Sequence, residues 1–313
     1  MEEDRNIKLP LGKVALDNDL GPYYIDMRPA IIHYVNNIYG GKFDEDGVPL
    51  IDTKIGLVYS PINIAQYGFM VHSRYSETKN EADLRILKNC LAVLEKTKTK
   101  DDDKSIWYHE YPNAKYDLPL PWASAMAQGE VISFYLRMYQ ILDDDSLLQT
   151  AKEAYNYLKV WKSEGGVRVL DDEKNLWLEE YPTEKPLLVL NGFIYAIFGL
   201  FDLFRVTGSE EVKKEIDACI LTLRNSLNKF DTGFWSLYDL GEGELVRYYY
   251  QKNVHVPQLQ ILYQLTGESI FDKYQKRWSS QLTKRNFLFV QVLYRVRYRM
   301  PWLYEQIIRL WRN

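Results

Sequence analysis

Cysteine and histidine are scarce in this chain of 313 residues, and that scarcity excludes several kinds of site. There are two cysteines, Cys90 and Cys219, which is too few for a disulfide framework. Both lie in apolar helical patterns, so we predict buried thiols. The four histidines are far apart in the sequence and form no HxH or HxxxH pair, so no metal site is predicted.

Other familiar motifs are absent too. The chain has no glycine-rich loop with dinucleotide or P-loop spacing and no G-x-S-x-G elbow. The formal net charge is -4, whereas nucleic-acid binders usually carry a basic surplus, so we predict no nucleic-acid partner. No apolar run reaches about 18 residues, and the first residues are charged without a signal-peptide core. These features predict a soluble protein that is cytoplasmic or peripheral to a membrane.

Aromatic residues, in contrast, are abundant. They make up 14% of the chain, with 25 Tyr and 8 Trp. Tyr and Trp combine an apolar face with a hydrogen-bonding edge, which suits sugar rings but also ordinary cores. Composition therefore leaves a carbohydrate site and simple packing both open.

From Pro61 onward the sequence reads as pairs of helices, most of them an apolar helix followed by an amphipathic one. Ser60 and Pro61 are typical of the first cap and the first helical position. The predicted helices are 61–75, 80–97, 122–142, 146–161, 187–207, 209–229, 255–266 and 269–282.

Aromatic segments between the pairs form an internal repeat. The pattern W-x-x-E-Y-P occurs at 107–112 and again at 177–182, and FWSLYD at 234–239 occupies the corresponding place before the fourth pair. Stacked units of this kind predict a mainly α fold, an incomplete α/α barrel or α/α toroid, with short β-hairpins at the cleft end. The repeated segments would then surround one cleft.

Three segments are predicted as domains. Residues 1–55 carry many turn signals and predict an irregular or β-like arm, with one helix around 29–39. Residues 56–282 form the toroid. Residues 283–313 form a basic amphipathic extension with seven Lys or Arg and one acid from Lys284 onward. Such an extension suits contact with an acidic membrane surface, or docking on the toroid or on a second copy, and we expect a homodimer.

The stretch WLEEYPTEKPLLVLNGFIYAIFGLFDL (177–203) concentrates the chemistry of the chain. Two carboxylates, Glu179 and Glu180, and the phenol of Tyr181 lead into a helix that is apolar on nearly every side. The carboxylates could be a solvated helix-entry pair. Together with tyrosine and arginine they could instead transfer a proton at a carbon atom, or form a glycosidase pair. The residues alone leave these alternatives open.

Five segments together resemble the C-terminal domain of D-glucuronyl C5-epimerases. They are YSPINIAQYG (59–68), WASAMAQGEVISFYLRMY (122–139), the stretch 177–203, FDTGFWSLYDL (230–240) and VRYYYQKNVHVPQLQIL (246–262). They occur in the family's order and span most of residues 55–280. The resemblance implies an isomerase that converts glucuronate to iduronate in a heparosan or heparan sulfate type of polysaccharide. It implies no redox cofactor.

The resemblance also implies roles for single residues. Glu180 and Tyr250 would be the opposed acid and base on the two faces of the sugar ring, and Tyr181 and Tyr238 would assist them. The candidates for binding substrate are Arg247, His255, Asn191, Tyr59, Gln66 and Gln128.

The sequence departs from the family in the segment 250–259. The family commonly reads YHxxHIxQL, whereas this chain reads YQKNVHVPQL, with one histidine absent and one residue added. Tyr249 could therefore replace Tyr250. A uronan lyase, which would follow the same proton abstraction with elimination, and a non-catalytic uronan-binding protein remain alternatives.

Overall fold

Four helical hairpins form the body of the protein in the computed structural model, which describes residues 7–32 and 42–312. In chain order the helices are α1 (Pro61–Thr78), α2 (Glu81–Thr97), α3 (Ala125–Leu142), α4 (Asp145–Leu158), α5 (Leu190–Thr207), α6 (Glu210–Ser226), α7 (Tyr248–Tyr250), α8 (Val256–Thr266), α9 (Ser269–Ser280), α10 (Lys284–Arg299) and α11 (Pro301–Arg312).

The first member of each hairpin lies inside and the second lies outside. Helices α1, α3 and α5 pack side by side in that order, and α5 also contacts the turn that leads into α8. Helices α2, α4, α6 and α9 each pack against their own inner partner. This arrangement is the α/α toroid that the helix pairs predict.

Local sequence determines where these helices begin and end. The side chains of Asn80, Ser124 and Ser209 each accept a hydrogen bond from a backbone amide in the first turn of α2, α3 and α6. Helix α5 ends at Gly208, whose φ of 63° is the left-handed conformation that glycine adopts without strain. Caps and stops of this kind explain why the hairpin boundaries were predictable.

Helix α5 is apolar and long enough to cross a membrane by length and composition, and it is the one such helix in the described ranges. However, 83% of its apolar window is buried inside the protein. Its Asp202 lies 2.6 Å from Arg137 of α3, and both side chains are fully buried. Helix α5 is therefore the central helix of the core.

Helices α3 and α5 come very close together at two glycines. A Cβ atom added at Gly129 would lie 2.5 Å from the Cα atom of Ala196, and one at Gly199 would lie 2.4 Å from the carbonyl oxygen of Gly129. Neither contact can be relieved by rotating a side chain, since both involve backbone atoms. The glycines thus set the spacing between the two inner helices.

We expect Gly129→Ala to lower the free energy of unfolding by about 1–3 kcal/mol, because the helices must move apart to admit the methyl group. Urea denaturation measures this. Lys214→Ala, on the exposed side of α6, is the control and should change stability by less than about 0.5 kcal/mol. Equal stability of the two variants would contradict the close approach.

Within the described residues, eight short strands form three small antiparallel sheets. The strands are β1 (Lys42–Phe43), β2 (Pro49–Thr53), β3 (Gly56–Val58), β4 (Lys98–Asp101), β5 (Lys104–His109), β6 (Trp122–Ala123), β7 (Arg168–Leu170) and β8 (Leu176–Leu178). They pair in the orders β1-β2-β3, β4-β5-β6 and β7-β8. Strands β5 and β8 contain the tryptophans of the repeat, Trp107 and Trp177, and both indoles are fully buried.

The fourth inner helix begins earlier than predicted. The sequence predicts its start at His255, but helical structure begins with α7 and continues through a π-helical turn, Gln251–His255, into α8. The polar run before His255 hid this start. A π-helical turn accommodates one extra residue in a helix, which matches the residue that the sequence adds here. Pro257, which has no amide hydrogen to donate, lies two residues after the end of this turn.

The described part of the segment before β1 packs on the toroid. The amide of Leu9 donates to Oδ1 of Asn253, and Nε of Arg137 donates to the carbonyl of Gly21. Of the helix predicted around 29–39, the described part contains a 3₁₀ turn, Arg28–Ile31, and residues 33–41 lie outside the described residues. Both cysteines are buried, as predicted. The division into three domains stays a prediction.

Candidate active site

Hydrogen bonds between neighbouring repeats bring the aromatic segments to one place. The amide of Ala125, at the start of α3, donates to the carbonyl of Glu179 over 2.9 Å. The amide of Leu190, at the start of α5, donates to the carbonyl of Tyr238 over 3.1 Å. Each of these two inner helices thus uses one of its free N-terminal amides to hold the aromatic segment of the next repeat. The side chains of Glu180 and Tyr238 are positioned in this way.

The neighbouring carboxylates Glu179 and Glu180 have different roles in the fold. Both oxygens of Glu179 accept backbone hydrogen bonds, from the amides of Leu187 and Leu188, each over 3.0 Å. Leu188 has a φ of 54°, a strained conformation for a residue with a side chain. Glu179 therefore stabilises the turn before α5. Glu179 and Glu180 are both buried, so they are not the solvated helix-entry pair considered above.

Glu180 is a buried carboxyl group that lines a cavity. Glu180 is 4% exposed, and its Oε1 accepts a hydrogen bond from the hydroxyl of Tyr238 over 3.3 Å. Oε2 has no hydrogen-bond partner among the described residues. Burial raises the pKa of Glu180 to about 7, against the phenols of Tyr181 and Tyr238, which lower it by hydrogen bonding to the carboxylate. The group can therefore gain or lose a proton near neutral pH.

Gly192 leaves room for this carboxyl group. A Cβ atom at position 192 would lie 2.2 Å from Oε2 of Glu180. The Asn191-Gly192 pair at the start of α5 thus combines an amide that lines the cavity with a residue that lets the carboxyl group approach the helix.

Two cavities meet at the tyrosines beside Glu180. The first, which we call the cationic cavity, has a volume of roughly 200 Å³ and contains Lys115 and Arg247. The second, the amide cavity, has a volume of roughly 230 Å³ and contains Asn63, Gln66 and Asn191. Tyr181 and Tyr250 line both cavities. Tyr238 lines the cationic cavity, and Glu180 and Tyr249 line the amide cavity.

The tyrosines pack edge to face around this junction. The ring centroids of Tyr238 and Tyr250 are 6.2 Å apart, and those of Tyr249 and Tyr250 are 6.1 Å apart. Burial raises the pKa of Tyr181 and of Tyr238 well above the usual value for a phenol, and the nearby Glu180 adds to this. These two phenols are therefore protonated at neutral pH and can donate hydrogen bonds.

The structure brings seven of the predicted site residues to the two cavities. The four predicted catalytic residues, Glu180, Tyr181, Tyr238 and Tyr250, surround their junction. Three predicted binding residues line them as well: Arg247 in the cationic cavity, and Gln66 and Asn191 in the amide cavity. Their roles in binding and catalysis stay predictions.

Three other predicted binding residues lie elsewhere, which corrects the expectation. The hydroxyl of Tyr59 donates to Asp44 over 2.6 Å, beside the β1–β2 turn. Gln128 is fully buried in α3. His255 is fully buried against Trp278, with Nδ1 at 3.0 Å from the hydroxyl of Ser236, and burial lowers its pKa to about 3. None of the three lines either cavity.

Sequence reasoning missed several residues of the site. Lys115 lines the cationic cavity and forms a salt bridge with Glu244. Behind the amide cavity, Oε1 of the fully buried Glu130 accepts a hydrogen bond from Nε2 of Gln66 over 2.9 Å. An acid inside the apolar run AMAQGEVIS was the available signal for Glu130. Nothing in the sequence around Lys115 distinguished it from a surface lysine.

The C-terminal helices support the segment 244–247, which lines the cationic cavity. Arg297 of α10 contacts Glu244 at 3.1 Å and Glu242 at 2.7 Å. The hydroxyl of Tyr304 accepts from the amide of Leu245 and donates to the carbonyl of Gly243, each over 3.1 Å. Glu244 therefore joins Lys115, inside the cavity, to Arg297 in the extension.

Replacing Tyr238 by Phe should raise the pKa of Glu180 by about one pH unit. The change removes the hydrogen bond that stabilises the charged carboxylate, and a bond of this kind contributes on the order of 1 kcal/mol. Carbon-13 NMR titration of labelled glutamate carboxyl groups measures the pKa. Tyr263→Phe, at an exposed tyrosine of α8, is the control, and an unchanged or lower pKa in Tyr238→Phe would contradict the geometry.

No three His, Cys, Asp or Glu side chains come close enough to hold a metal ion in the part of the chain that the structure describes. The expectation of a reaction without a metal or a redox cofactor stays a prediction.

The α/α toroid fold and the family match together support a carbohydrate-active enzyme as the class of the protein. The family model described as the C-terminus of D-glucuronyl C5-epimerase matches residues 96–280, more than half of the chain. The chain therefore belongs to the D-glucuronyl C5-epimerase C-terminal family, as the sequence motifs suggested.

The chain is also similar to individual proteins. The chain is 33% identical to D-glucuronyl C5-epimerase of Caenorhabditis elegans over 182 residues, which is 52% of this chain and 29% of the nematode enzyme. It is 27% identical to an uncharacterised protein of Methanocaldococcus jannaschii over 84% of this chain and 88% of that protein. The structure of cellobiose 2-epimerase from Bacillus thermoamylovorans shares the fold, with a TM-score of 0.54 and 13% identity over 79% of this chain and 66% of that one.

Proposed function

We propose that this protein is an isomerase that inverts C5 of glucuronate residues within a polysaccharide, converting glucuronate to iduronate. The observation that carries the proposal is the meeting of Glu180, with a pKa of about 7, and Tyr250 at the junction of two cavities. Epimerisation requires a base on one face of the ring and an acid on the other, and this junction offers a carboxyl group and a phenol for those roles.

The proposed reaction moves one proton onto the enzyme and another off it. The Glu180 carboxylate removes the proton from C5, and the C–H electron pair moves into the substrate carboxylate to give an enediolate. The hydroxyl of Tyr250 then delivers a proton to C5 from the opposite face, and the configuration inverts. Proton exchange with solvent restores the two groups before the next turnover.

Charged residues of the cationic cavity would stabilise the enediolate. Arg247 has no carboxylate partner among the described residues, and Lys115, which also lines the cavity, is paired with Glu244. A guanidinium can bind both oxygens of a carboxylate, so Arg247 is the candidate for holding the group on which charge accumulates. The amide cavity would bind uncharged hydroxyl or amide groups through Asn63, Gln66 and Asn191.

Two cavities on either side of the junction also suit a polymer rather than a single sugar. One residue of the chain would sit at Glu180 and its neighbours would extend into each cavity. We therefore propose a uronic acid polysaccharide of the heparosan or heparan sulfate type. A homodimer and a cytoplasmic or membrane-peripheral location stay predictions from the sequence.

Proton NMR in heavy water tests the proposal. Heparosan and other glucuronate polymers are incubated with the protein, and we expect deuterium at C5 together with iduronate signals, without cleavage of the polymer. A lyase would instead produce unsaturated uronate with ultraviolet absorbance. Binding of the polymer with no exchange would indicate a non-catalytic uronan-binding protein. Either of these results would overturn the proposal.

A further inference from the structure

The outer face of α10 combines apolar and cationic side chains that the protein itself leaves uncovered. Leu288 and Val292 are 64% and 53% exposed, and Trp302 at the start of α11 is 61% exposed. Leu288 and Val292 lie four residues apart, so they are neighbours on one side of the helix. An exposed apolar strip of this kind marks an interaction surface.

Cations flank this strip at both ends. Lys284 and Arg285 precede Leu288 by about one turn, and Arg295 and Arg299 follow Val292 on the same side of α10. All four are exposed. They have no acidic partner among the described residues, in contrast to Arg297 on the packed side. The outer face is therefore positively charged on a protein whose formal net charge is -4.

The opposite face of α10 packs on the body of the protein. Val290 and Leu293 are buried, and the hydroxyl of Tyr294 donates to the carbonyl of Leu245. Side chains on the two faces therefore have separate tasks. The inner face fixes the helix on the toroid, so the outer face is available to bind a partner.

We propose that this outer face, formed by Lys284, Arg285, Leu288, Val292, Arg295 and Arg299, binds the surface of a membrane that contains acidic lipids. A helix that lies in the membrane interface inserts its apolar side chains among the acyl chains, while its cations contact lipid headgroups. Long Arg and Lys side chains reach the headgroups from positions beside the apolar strip.

Charge and side-chain chemistry favour this partner over two others. Pairing the same face of two copies would bring eight cations together, which opposes a symmetric contact through α10. An acidic polysaccharide would satisfy the cations but would gain little from Leu288 and Val292, since aliphatic side chains are stabilised by burial in hydrocarbon.

Vesicle sedimentation with the full chain tests the proposal. We expect binding to vesicles of equal parts phosphatidylglycerol and phosphatidylcholine, and none to vesicles of phosphatidylcholine alone. The triple variant Arg285→Gln/Arg295→Gln/Arg299→Gln should lower the partition coefficient roughly 100-fold, because each cation near an acidic surface contributes about a factor of five. Leu288→Asp/Val292→Asp should lower it at least about ten-fold.

The matched control is Leu221→Asp, which changes an exposed leucine on the outside of α6 and should bind like the unaltered protein. The α10 variants should retain circular dichroism and C5 exchange in solution, since they lie on the side of α10 away from the cavity. Absence of binding to acidic vesicles would overturn the proposal, as would equal binding by the triple variant. Two other results without vesicle binding would also overturn it. In one, the triple variant loses its affinity for a uronic acid polymer. In the other, light scattering shows that the double Asp variant no longer dimerises.

Discussion

Glu180→Gln is expected to lower kcat/KM for C5 exchange by about 10⁴-fold, the upper part of the range for loss of a general base. Glutamine nearly matches glutamate in size, so it fits the space that Gly192 leaves. However, the amide of glutamine cannot accept the proton that leaves C5. The measurement is deuterium incorporation in heavy water, followed over a range of substrate concentrations.

The internal repeat provides a matched control for this variant. Glu110 occupies the position of Glu180 in the earlier W-x-x-E-Y-P segment, but it is exposed. Glu110→Gln should therefore retain full activity. Comparable loss in both variants would show that the effect does not come from chemistry at Glu180.

Glu180→Gln should also stabilise the protein above neutral pH. Burial raises the pKa of Glu180 from 4.5 to about 7, so the folded protein binds this proton more tightly than the unfolded chain does. The stability that the protonated carboxyl group provides is complete below pH 4.5 and is lost as the pH rises to about 7. A tenfold change in proton affinity corresponds to about 1.4 kcal/mol. The free energy of unfolding of the variant, compared with that of the unaltered protein, should therefore be up to about 3 kcal/mol higher at pH 8 than at pH 4. Urea denaturation at the two pH values measures this.

The second large effect is expected for Tyr250→Phe. Removing the hydroxyl takes away the proton donor on the second face of the ring, and we expect kcat to fall by about 10²–10⁴-fold. Because Tyr250 lines both cavities, its ring should still pack and the KM should change little. Steady-state kinetics of epimerisation separate the two parameters.

Tyr249→Phe distinguishes the two neighbouring tyrosines. Tyr249 lines the amide cavity and not the cationic cavity, whose cations would hold the substrate carboxylate. We expect this variant to keep activity within about tenfold of the unaltered protein. A larger loss for Tyr249→Phe than for Tyr250→Phe would reverse the assignment.

The hairpins were predictable because local chemistry determines them. Serine and asparagine caps, the alternation of apolar and amphipathic helices, and the W-x-x-E-Y-P repeat all appear in short stretches of sequence. The same repeat could not show that Glu180 is buried while Glu110 is exposed, because that difference arises from packing against α5 and Tyr238. Lys115 was equally invisible, since its place in the cavity depends on Glu244, 129 residues away in the chain.

The predicted positions of Tyr59, Gln128 and His255 failed for a related reason. A motif shows that a residue type belongs to a segment, but not which way its side chain points. His255 ends a π-helical turn, and its ring packs on Trp278 in the core. The extra residue in 250–259 changes the rotation of the helix, which sequence spacing alone did not reveal.

The hydrogen bonds of Tyr304 and Arg297 have a practical consequence for anyone who trims this protein. A shortened version that stops at residue 280, where the family match ends, would look like a complete module by homology. It would lose the side chains that hold residues 242–245 and would leave Glu244 with Lys115 alone. The helical hairpins of such a fragment should still fold, but we expect it to bind an acidic sugar weakly.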